Sequence, residues 1–247
     1  MKIIISPAKK MKDEVIGVEA VSDPFFIGKS GVLLDYLRSL SLAQLKKLLA
    51  CNDALALQNF ERYAKMDLTG HGEPALLAYD GIQYKYMAPS VFDDEAFAYA
   101  QKHLRILSGF YGILCPLDKV TPYRLEMQAK VKTDFCRSLY DFWGDDLYRE
   151  LTKEDSLILN LASEEYSRCI SPHLKEGVRM VTCLFVEKLE DGTLKEKGVY
   201  VKMARGEMVR YLCEQQIADL EGVKKFNGMG YHFDPVHSSD DIFMFTR

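Results

Sequence analysis

The sequence predicts a mixed α/β (α+β) fold, in which a central sheet is flanked by helices within a single compact domain, residues 1–247. Two short apolar runs, Lys2–Ser6 and Ser156–Leu161, are typical of strands covered on both faces. The segment Ser30–Met66 instead repeats leucines at intervals of three and four residues, which indicates helices. Because the chain has no internal repeat, low-complexity tract or linker, we expect one domain.

The first predicted strand is followed at once by lysines. Lys9 lies just beyond Lys2–Ser6, and open α/β sheets usually bind ligands beyond the carboxyl ends of their strands. Lys9 is therefore either a ligand-binding residue or a solvated loop lysine.

The next region, Ser30–Met66, is predicted to form an α-hairpin whose second helix has Ser41 as its N-cap.

A helix is next expected from Asp93, a good N-cap, through apolar residues at helical spacing as far as Leu107. Gly109 should end this helix, because glycine accepts the left-handed conformation common at that position. Gly112 follows after two aromatic residues. With no side chain at either glycine, backbone N–H groups in this connection can approach a partner closely.

The charge of the segment from Gln101 to Lys132 differs from that of the whole chain. It has six basic and two acidic residues, a local balance of +4, whereas the formal net charge of the chain is −4. A local excess of positive charge favours an anionic partner such as phosphate. The alternative is a helix–turn–helix corner whose lysines are only solvated.

Two later segments contain further polar candidates. Asp141 and Asp145 flank an aromatic pair, and such carboxylates either act in acid–base or metal chemistry or cap helices. After Ser156–Leu161, Ser163 is predicted to be a helix N-cap, with Glu164 in the first turn, where the helix dipole favours an acidic residue.

A β-hairpin is predicted from Arg179–Leu189 and Leu194–Met203, joined by a turn at Asp191-Gly192. Its second strand should deliver Lys202, and Arg205 should open the following helix, which would create an anion site at a helix N-terminus. One or two closing strands are expected in the tail, in the segments Phe226–Phe233 and Ile242–Phe245.

If the predicted strands share a sheet and a direction, Lys9, Glu164, Lys202 and Arg205 converge in one cleft beside Arg124. The chain contains no Walker A loop, dinucleotide fingerprint, nucleophile elbow or zincin helix. Sequence alone therefore names no reaction for this cleft.

Composition argues for a cytoplasmic protein. No apolar run approaches the roughly 20 residues of a membrane span, and the three isoleucines near the N-terminus are too few for a signal-peptide core. None of the six cysteines forms a Cys-x-x-Cys pair or lies near a histidine at zinc-ligand spacing. We therefore expect free, mostly buried thiols, no metal or other cofactor, and no membrane partner.

Seven blocks, in order along the chain, resemble the peroxide stress protein YaaA family: Ile5–Lys9, Leu107–Gly112, Pro116–Asp118, Pro122–Met127, Tyr140–Asp145, Asn160–Ser163 and Lys202–Gly206. The resemblance covers almost the whole chain. It implies a bacterial cytosolic protein that limits hydrogen peroxide damage, in a family linked to lowering free intracellular iron. It also implies a compact mixed fold with a positively charged cleft.

The resemblance further implies binding of double-stranded DNA through a helix-hairpin-helix element, which falls on Ser108, Gly109, Phe110, Tyr111 and Gly112. Backbone N–H groups at such a hairpin bind phosphates without reading bases. Binding would then be independent of sequence and sensitive to salt.

Three hypotheses about function remain open at this stage. The first is a DNA-binding stress protein in which Lys9, Arg124, Lys202 and Arg205 neutralise phosphates. The second is an enzyme acting on a nucleotide or another small anionic substrate, with candidate residues Lys9, Tyr123, Arg124, Glu126, Asp141, Asp145, Glu164, Lys202 and Arg205. The third is direct iron binding, for which the nearest group is His232, Asp234 and His237.

Overall fold

The computed structural model describes residues 1–15 and 17–247. Its strands are β1 (Lys2–Ile5), β2 (Lys10–Met11), β3 (Glu73–Pro74), β4 (Tyr79–Asp80), β5 (Leu104–Ser108), β6 (Gly112–Leu114), β7 (Lys119–Val120), β8 (Leu157–Leu161), β9 (Arg179–Lys188), β10 (Leu194–Lys195), β11 (His232–Phe233) and β12 (Ile242–Thr246).

The helices are α1 (Ile27–Ser39), α2 (Leu42–Leu49), α3 (Asp53–Lys65), α4 (Ala75–Ala78), α5 (Ile82–Met87), α6 (Asp94–His103), α7 (Leu139–Trp143), α8 (Asp146–Leu151), α9 (Glu164–Ser167), α10 (Gly198–Glu214) and α11 (Leu220–Lys224). Short 3-10 turns occur at Pro89–Val91, Ser171–His173 and Gly228–Gly230. Each of these described helices is too short or too polar to cross a lipid bilayer.

The main sheet has the strand order β11-β12-β9-β8-β1-β5-β6, and β10 pairs with β9. Strands β12, β9, β8, β1 and β5 run parallel to one another. Strands β11, β6 and β10 are antiparallel to their neighbours. The carboxyl ends of β1, β5 and β8 therefore lie at the same edge of the sheet.

Strand β1 lies at the centre because the three residues after Lys2 are apolar on both faces of the sheet. Ile3, Ile4 and Ile5 are completely buried, with β8 on one side and β5 on the other. This is the arrangement expected for a continuous apolar run in a parallel sheet. The sheet and its flanking helices share one hydrophobic core, which confirms the predicted mixed α/β fold.

The helical region near the N-terminus is confirmed, although it has three helices instead of two. Helix α2 begins as predicted at Ser41, whose side chain accepts a hydrogen bond from the Gln44 backbone N–H while Gln44 reaches back to the Ser41 backbone. Asn52 then caps α3 in the same way, through Leu55 N–H. The extra boundary falls at Ala50, which adopts φ +44°.

The helix expected to end at Gly109 ends six residues earlier, at His103. Its predicted start is correct, because Asp93 accepts a hydrogen bond from Ala96 N–H. The apolar residues after His103 instead form β5, which pairs with the buried β1. A short apolar run fits a helix or a strand equally well. Here the pairing with a buried strand decides in favour of the strand.

The hairpin predicted after Arg179 is shorter than expected. Strand β10 ends at Lys195, and helix α10 begins at Gly198. Lys202 therefore lies within the helix, and Arg205 lies one turn further along it, on the same face. The predicted anion site at a helix N-terminus is wrong, since both residues lie beyond the first turn.

Candidate functional site

A cavity of about 300 Å³ lies at the carboxyl ends of β1 and β8. Its lining comes from the loop after β1, the segment Tyr123–Glu126, helix α5, the start of α9 and helix α10. Ligand sites in α/β proteins usually occupy this edge of the sheet. The fold therefore gathers side chains from five separate parts of the chain into one place.

Two serines fix the ends of the central strands to each other. The Ser6 hydroxyl lies 3.1 Å from the Ser163 hydroxyl and accepts a 2.8 Å hydrogen bond from the Ser163 backbone N–H. The Tyr84 hydroxyl donates to the Ser6 carbonyl at 3.0 Å. Together these bonds hold the loop after β1, the start of α9 and helix α5 in register around the cavity.

Gly206 allows helices α5 and α10 to pack closely together. A side chain at this position would collide with the Gln83 carbonyl oxygen and would lie 2.9 Å from the Met87 backbone nitrogen. Glycine is therefore required by the close approach of the two backbones. This packing places Gln83 of α5 and Arg205 of α10 in the lining of the same cavity.

Three buried hydrogen-bond donors, on residues that line the cavity, have no partner in the described structure. They are Gln83 Nε2, Arg124 Nε and Arg205 Nε. Gln83 is only 7% exposed, so water does not readily satisfy its amide. Buried polar groups are nearly always hydrogen-bonded, and an orphan donor costs roughly 1–3 kcal/mol. Three side chains of one lining thus carry donor groups that the rest of the described structure leaves unsatisfied.

Carboxylates lie in the same cavity. Glu126 is paired with Lys9 at 2.7 Å and with Arg124 at 3.2 Å. Glu165 accepts a hydrogen bond from Gln128 N–H at 3.2 Å. Burial, together with the neighbouring Glu126 charge, raises the pKa of Glu165 above its ordinary value, although Lys9 acts in the opposite direction. Glu165 is thus a carboxyl group that keeps its proton to a higher pH than an exposed glutamate does.

Three lysines with exposed side chains, Lys9, Lys10 and Lys202, also line the cavity. We call them the lysine rim. Lys9 keeps 63% of its side chain exposed despite its ion pair with Glu126. By contrast, burial lowers the pKa of Arg205 from its ordinary value, because this guanidinium is incompletely solvated. Positive charge is therefore found both at the opening and inside.

Tyr84, Tyr123 and Tyr166 supply the aromatic surface, and each is at most 6% exposed. The Tyr123 hydroxyl lies 2.6 Å from the Ser108 hydroxyl and 2.8 Å from the Tyr79 hydroxyl. Burial raises the pKa of all three cavity tyrosines far above neutrality, so their hydroxyls stay protonated. These residues provide rigid, partly polar walls.

The structure brings most of the sequence-predicted site residues together. The cavity lining includes Lys9, Tyr123, Arg124, Glu126, Lys202 and Arg205. The predicted Glu164 is exposed and lies outside this lining. Its neighbour Glu165 lines the cavity instead. Of the basic residues in the segment from Gln101 to Lys132, only Arg124 is among the cavity residues described.

Asp141 and Asp145 lie elsewhere and have local partners. The Asp141 carboxylate accepts a hydrogen bond from Arg137 N–H at 2.9 Å, and Asp145 pairs with Arg149 at 2.8 Å. Ser138 caps helix α7, which contains Asp141. Their predicted acid–base or metal role in the cleft is not supported by this placement. Asp145 occupies the N-cap position of α8 but makes no side-chain capping bond there, so the capping alternative is met only by its position.

The segment Ser108–Gly112 is the tight end of the β5–β6 hairpin, where Ser108 pairs with Gly112. Strands, not helices, lie on both sides, and in the described part of the chain no helix follows until Leu139. Ser108 and Phe110 are 0% exposed, and Tyr111 is 1% exposed. The helix-hairpin-helix expectation is therefore corrected to a buried β-hairpin.

The hairpin amides already have a partner within the protein. The Ser108 hydroxyl accepts hydrogen bonds from Phe110 N–H at 3.2 Å and from Tyr111 N–H at 2.8 Å. Gly112, at φ +78°, is required because a side chain there would lie 2.8 Å from the Trp143 ring. These glycines serve packing, and the Phe110 and Tyr111 amides are not free to bind a phosphate.

Gln83 and Glu165 are among the cavity residues that the sequence did not single out. Gln83 lies in an aromatic-rich stretch, and only its burial without a partner identifies it. Glu165 directly follows the predicted Glu164, and sequence reasoning chose the residue at the first helical position. Both acidic residues follow β8, so the preference of ligands for the carboxyl ends of strands applies to Glu165 as well as to Glu164.

The histidine group near the C-terminus does not form a metal centre. His237 Nδ1 lies 2.7 Å from Asp234 Oδ2, an exposed pair on a loop. Within residues 1–15 and 17–247, no group of three or more His, Cys, Asp or Glu side chains is placed to hold a metal ion. The six cysteines are free, and burial raises the pKa of four of them.

A family model described as peroxide stress protein YaaA matches residues 1–237. The chain belongs to the peroxide stress protein YaaA family. This membership confirms the resemblance drawn from the seven sequence blocks, and the family name supports a role in peroxide stress.

Relatives within the YaaA family align over the whole chain. A UPF0246 protein of Desulfitobacterium hafniense (strain Y51) is 58% identical over 247 residues, which is 100% of this chain and 98% of the relative. UPF0246 proteins of Lachnoclostridium phytofermentans and Agathobacter rectalis are 50% and 48% identical, covering 100% of this chain and 96% and 99% of the relatives, respectively. The names of these relatives assign no activity to the cavity.

Proposed function

We propose that this protein acts in the peroxide stress response by binding a small anionic ligand in the cavity at the carboxyl ends of β1 and β8. One observation carries the proposal: Gln83 Nε2, Arg124 Nε and Arg205 Nε are buried in the cavity lining without partners. A ligand that presents acceptor atoms would give these side chains the hydrogen-bond partners that they lack. Two of the three residues are arginines, and Lys9, Lys10 and Lys202 add positive charge to the same lining, so a ligand that also carries an anionic group is favoured.

The carboxylates give the same cavity a potential for proton transfer. Glu126 is held between Lys9 and Arg124, whereas burial raises the pKa of Glu165. When two carboxyl groups have different environments, one can stay ionised as a charge partner while the other takes up and releases a proton. An enzyme acting on a small anionic substrate would therefore use Glu165 as its acid or base.

Isothermal titration calorimetry tests the proposal directly. We would titrate orthophosphate, pyrophosphate, succinate and the four ribonucleoside 5′-monophosphates into the wild-type protein and into Arg205→Met and Arg205→Lys. At least one anion should bind the wild type, and Arg205→Met should weaken it at least about tenfold, as expected when a charge-assisted hydrogen bond is removed. Arg205→Lys keeps the charge but removes the orphan Nε, so its effect should be intermediate.

Circular dichroism and unfolding midpoints of each variant would control for misfolding. Lys47→Ala, at an exposed position on α2, is the matched control for removal of a surface charge. If no anion binds, or if the anion that binds is unaffected by both Arg205 variants, the proposal is wrong.

Sequence-independent binding of double-stranded DNA is the second candidate, and the lysine rim favours it. Lys9, Lys10 and Lys202 are exposed and come from two separate segments, so they can face the phosphates of a large polyanion. These side chains, and not the hairpin Ser108–Gly112, would bind the DNA backbone. Removing a lysine that neutralises a phosphate should make binding less dependent on salt.

Fluorescence anisotropy with duplex DNA at two salt concentrations separates the candidates. DNA binding through the rim predicts an affinity that falls with salt, and falls again in a triple variant, Lys9→Ala/Lys10→Ala/Lys202→Ala. It also predicts that Gln83→Met, inside the cavity, leaves DNA affinity unchanged. DNA affinity that is absent at low salt, or that survives the triple variant, would exclude this mode.

A further inference from the structure

We infer that the ligand of the cavity is nucleotide-like, with a planar heterocycle inside the cavity and its phosphate at the lysine rim. This inference rests on the proposed function, because it names the class of anion that the cavity takes. The inference follows from the positions of the polar groups: carboxylates and unpartnered donors lie on interior residues, whereas the lysines lie at the opening.

The interior is a poor place for a free phosphate. Glu126 is 13% exposed, and Glu165 is half-buried in the same lining. Where both carboxyl groups are ionised, they would repel a compact oxyanion at short range, and that repulsion is stronger where water is excluded. The anionic part of the ligand must therefore lie away from them.

The interior instead suits a molecule with both acceptors and donors. Gln83, Arg124 and Arg205 offer N–H groups without partners, whereas Glu126 and Glu165 offer only acceptor oxygens when ionised. The edges of nucleobases present ring nitrogens and carbonyl oxygens beside N–H groups. Such an edge satisfies both sets of side chains at once.

The walls and the size of the cavity also fit a flat ring. Tyr84, Tyr123 and Tyr166 line it. Each exposes at most 6% of its surface, so these side chains form closely packed walls that a flat ring can lie against. The volume of about 300 Å³ is at the lower end of the range for small-molecule sites. This favours one heterocycle with a short polar extension over a larger cofactor.

The lysine rim supplies the site for the phosphate. An ammonium group on a flexible stem binds phosphate as a point charge from many directions. Lys10 and Lys202 are exposed and have no ion-pair partner among the described salt bridges. Lys9 shares its charge with Glu126. A phosphate at the opening would thus meet cations without approaching the interior carboxylates.

Calorimetric titration of nucleosides, nucleoside 5′-monophosphates and orthophosphate tests this arrangement. For at least one base, the monophosphate should bind most tightly, the nucleoside should bind more weakly, and orthophosphate should not bind measurably. Gln83→Met should lower the affinity for the nucleoside and for the monophosphate alike, by about tenfold. Lys202→Ala should weaken the monophosphate but leave the nucleoside unchanged. Gln58→Met and Lys47→Ala, at exposed positions, are the matched controls.

The outcomes separate this inference from the proposal on which it rests. If orthophosphate, pyrophosphate or succinate binds while nucleosides and nucleotides do not, the nucleotide-like ligand is wrong and the anion site stands. If nothing binds, both are wrong. If nucleotides bind but Gln83→Met and Lys202→Ala have no effect, they bind elsewhere and the inference is overturned.

Discussion

Glu126 lies 2.7 Å from the Lys9 ammonium, so the segment after β7 is joined electrostatically to the loop after β1 at the cavity. Lys9→Met removes this pair and one positive charge of the lysine rim. Because the Lys9 side chain is mostly exposed, the free energy of unfolding should change by less than about 1 kcal/mol.

The same variant should bind anions several-fold more weakly, because Glu126 then has only Arg124 as a cationic partner. Urea unfolding and calorimetry measure the two effects, with Lys47→Met as the control. Unchanged anion affinity in Lys9→Met would show that the rim does not act on the ligand.

Gln83→Met should stabilise the protein. The buried Gln83 amide has an unpartnered donor, and replacing it with a nearly isosteric apolar side chain removes a penalty of roughly 1–3 kcal/mol. The midpoint of urea unfolding should rise with little change in slope. Gln58→Met, on the surface of α3, should stay within about 0.5 kcal/mol of wild type. A loss of stability in Gln83→Met would mean that this amide has a partner within the folded protein.

Glu165 should make stability depend on pH. Burial raises its pKa above the ordinary value of 4.5, so the folded protein retains this proton to a higher pH than the unfolded chain does. Its contribution to stability is therefore complete below pH 4.5 and is lost as pH rises through the folded pKa.

Glu165→Gln does not titrate at this position and removes that dependence. The difference in unfolding free energy, variant minus wild type, should increase as pH rises from about 4.5 towards neutrality and then level off. Urea unfolding of both proteins over this range measures it, and the common effect of other titrating groups cancels. A difference that stays constant, or that decreases with pH, would contradict the raised pKa.

Gly109→Ala should destabilise the hairpin by about 1–3 kcal/mol. The added methyl group would collide with the Leu125 carbonyl oxygen, and the Gly109 carbonyl accepts a hydrogen bond from Trp143 Nε1 at 3.1 Å. Gly31→Ala, in α1 with open space around it, should instead be stabilising by about 0.5–1 kcal/mol. Thermal unfolding compares the two. If Gly109→Ala folded normally but no longer bound DNA, the hairpin would bind phosphate after all.

Much of the architecture could be predicted from local patterns. The mostly apolar runs around Ile4 and Leu159 identified the central parallel strands, because strands that are buried on both faces consist largely of apolar residues. The position of Lys9 was then predicted correctly, because a residue that directly follows a central parallel strand lies at the carboxyl edge of the sheet. The caps at Ser41 and Asp93 were predictable for a similar reason: their side chains satisfy local backbone donors.

Non-local pairing explains the errors. Leu107 has helical spacing from Leu104, yet both residues belong to β5 because β1 supplies a hydrogen-bonding neighbour. Glycines at 109 and 112 looked like a phosphate cradle because their packing partners, Leu125 and Trp143, are distant in sequence. Gln83 could not have been singled out at all, since its unpartnered amide exists only once α5 meets α10.

Survival after hydrogen peroxide challenge, in bacteria whose own copy of this gene is deleted, decides whether the cavity is the functional site. The strain would carry wild type, Gln83→Met or Gln58→Met at equal expression. We predict that wild type and Gln58→Met restore survival, whereas Gln83→Met does not, although it is at least as stable as wild type. Restoration by Gln83→Met to the wild-type level would contradict the claim that the cavity is the functional site.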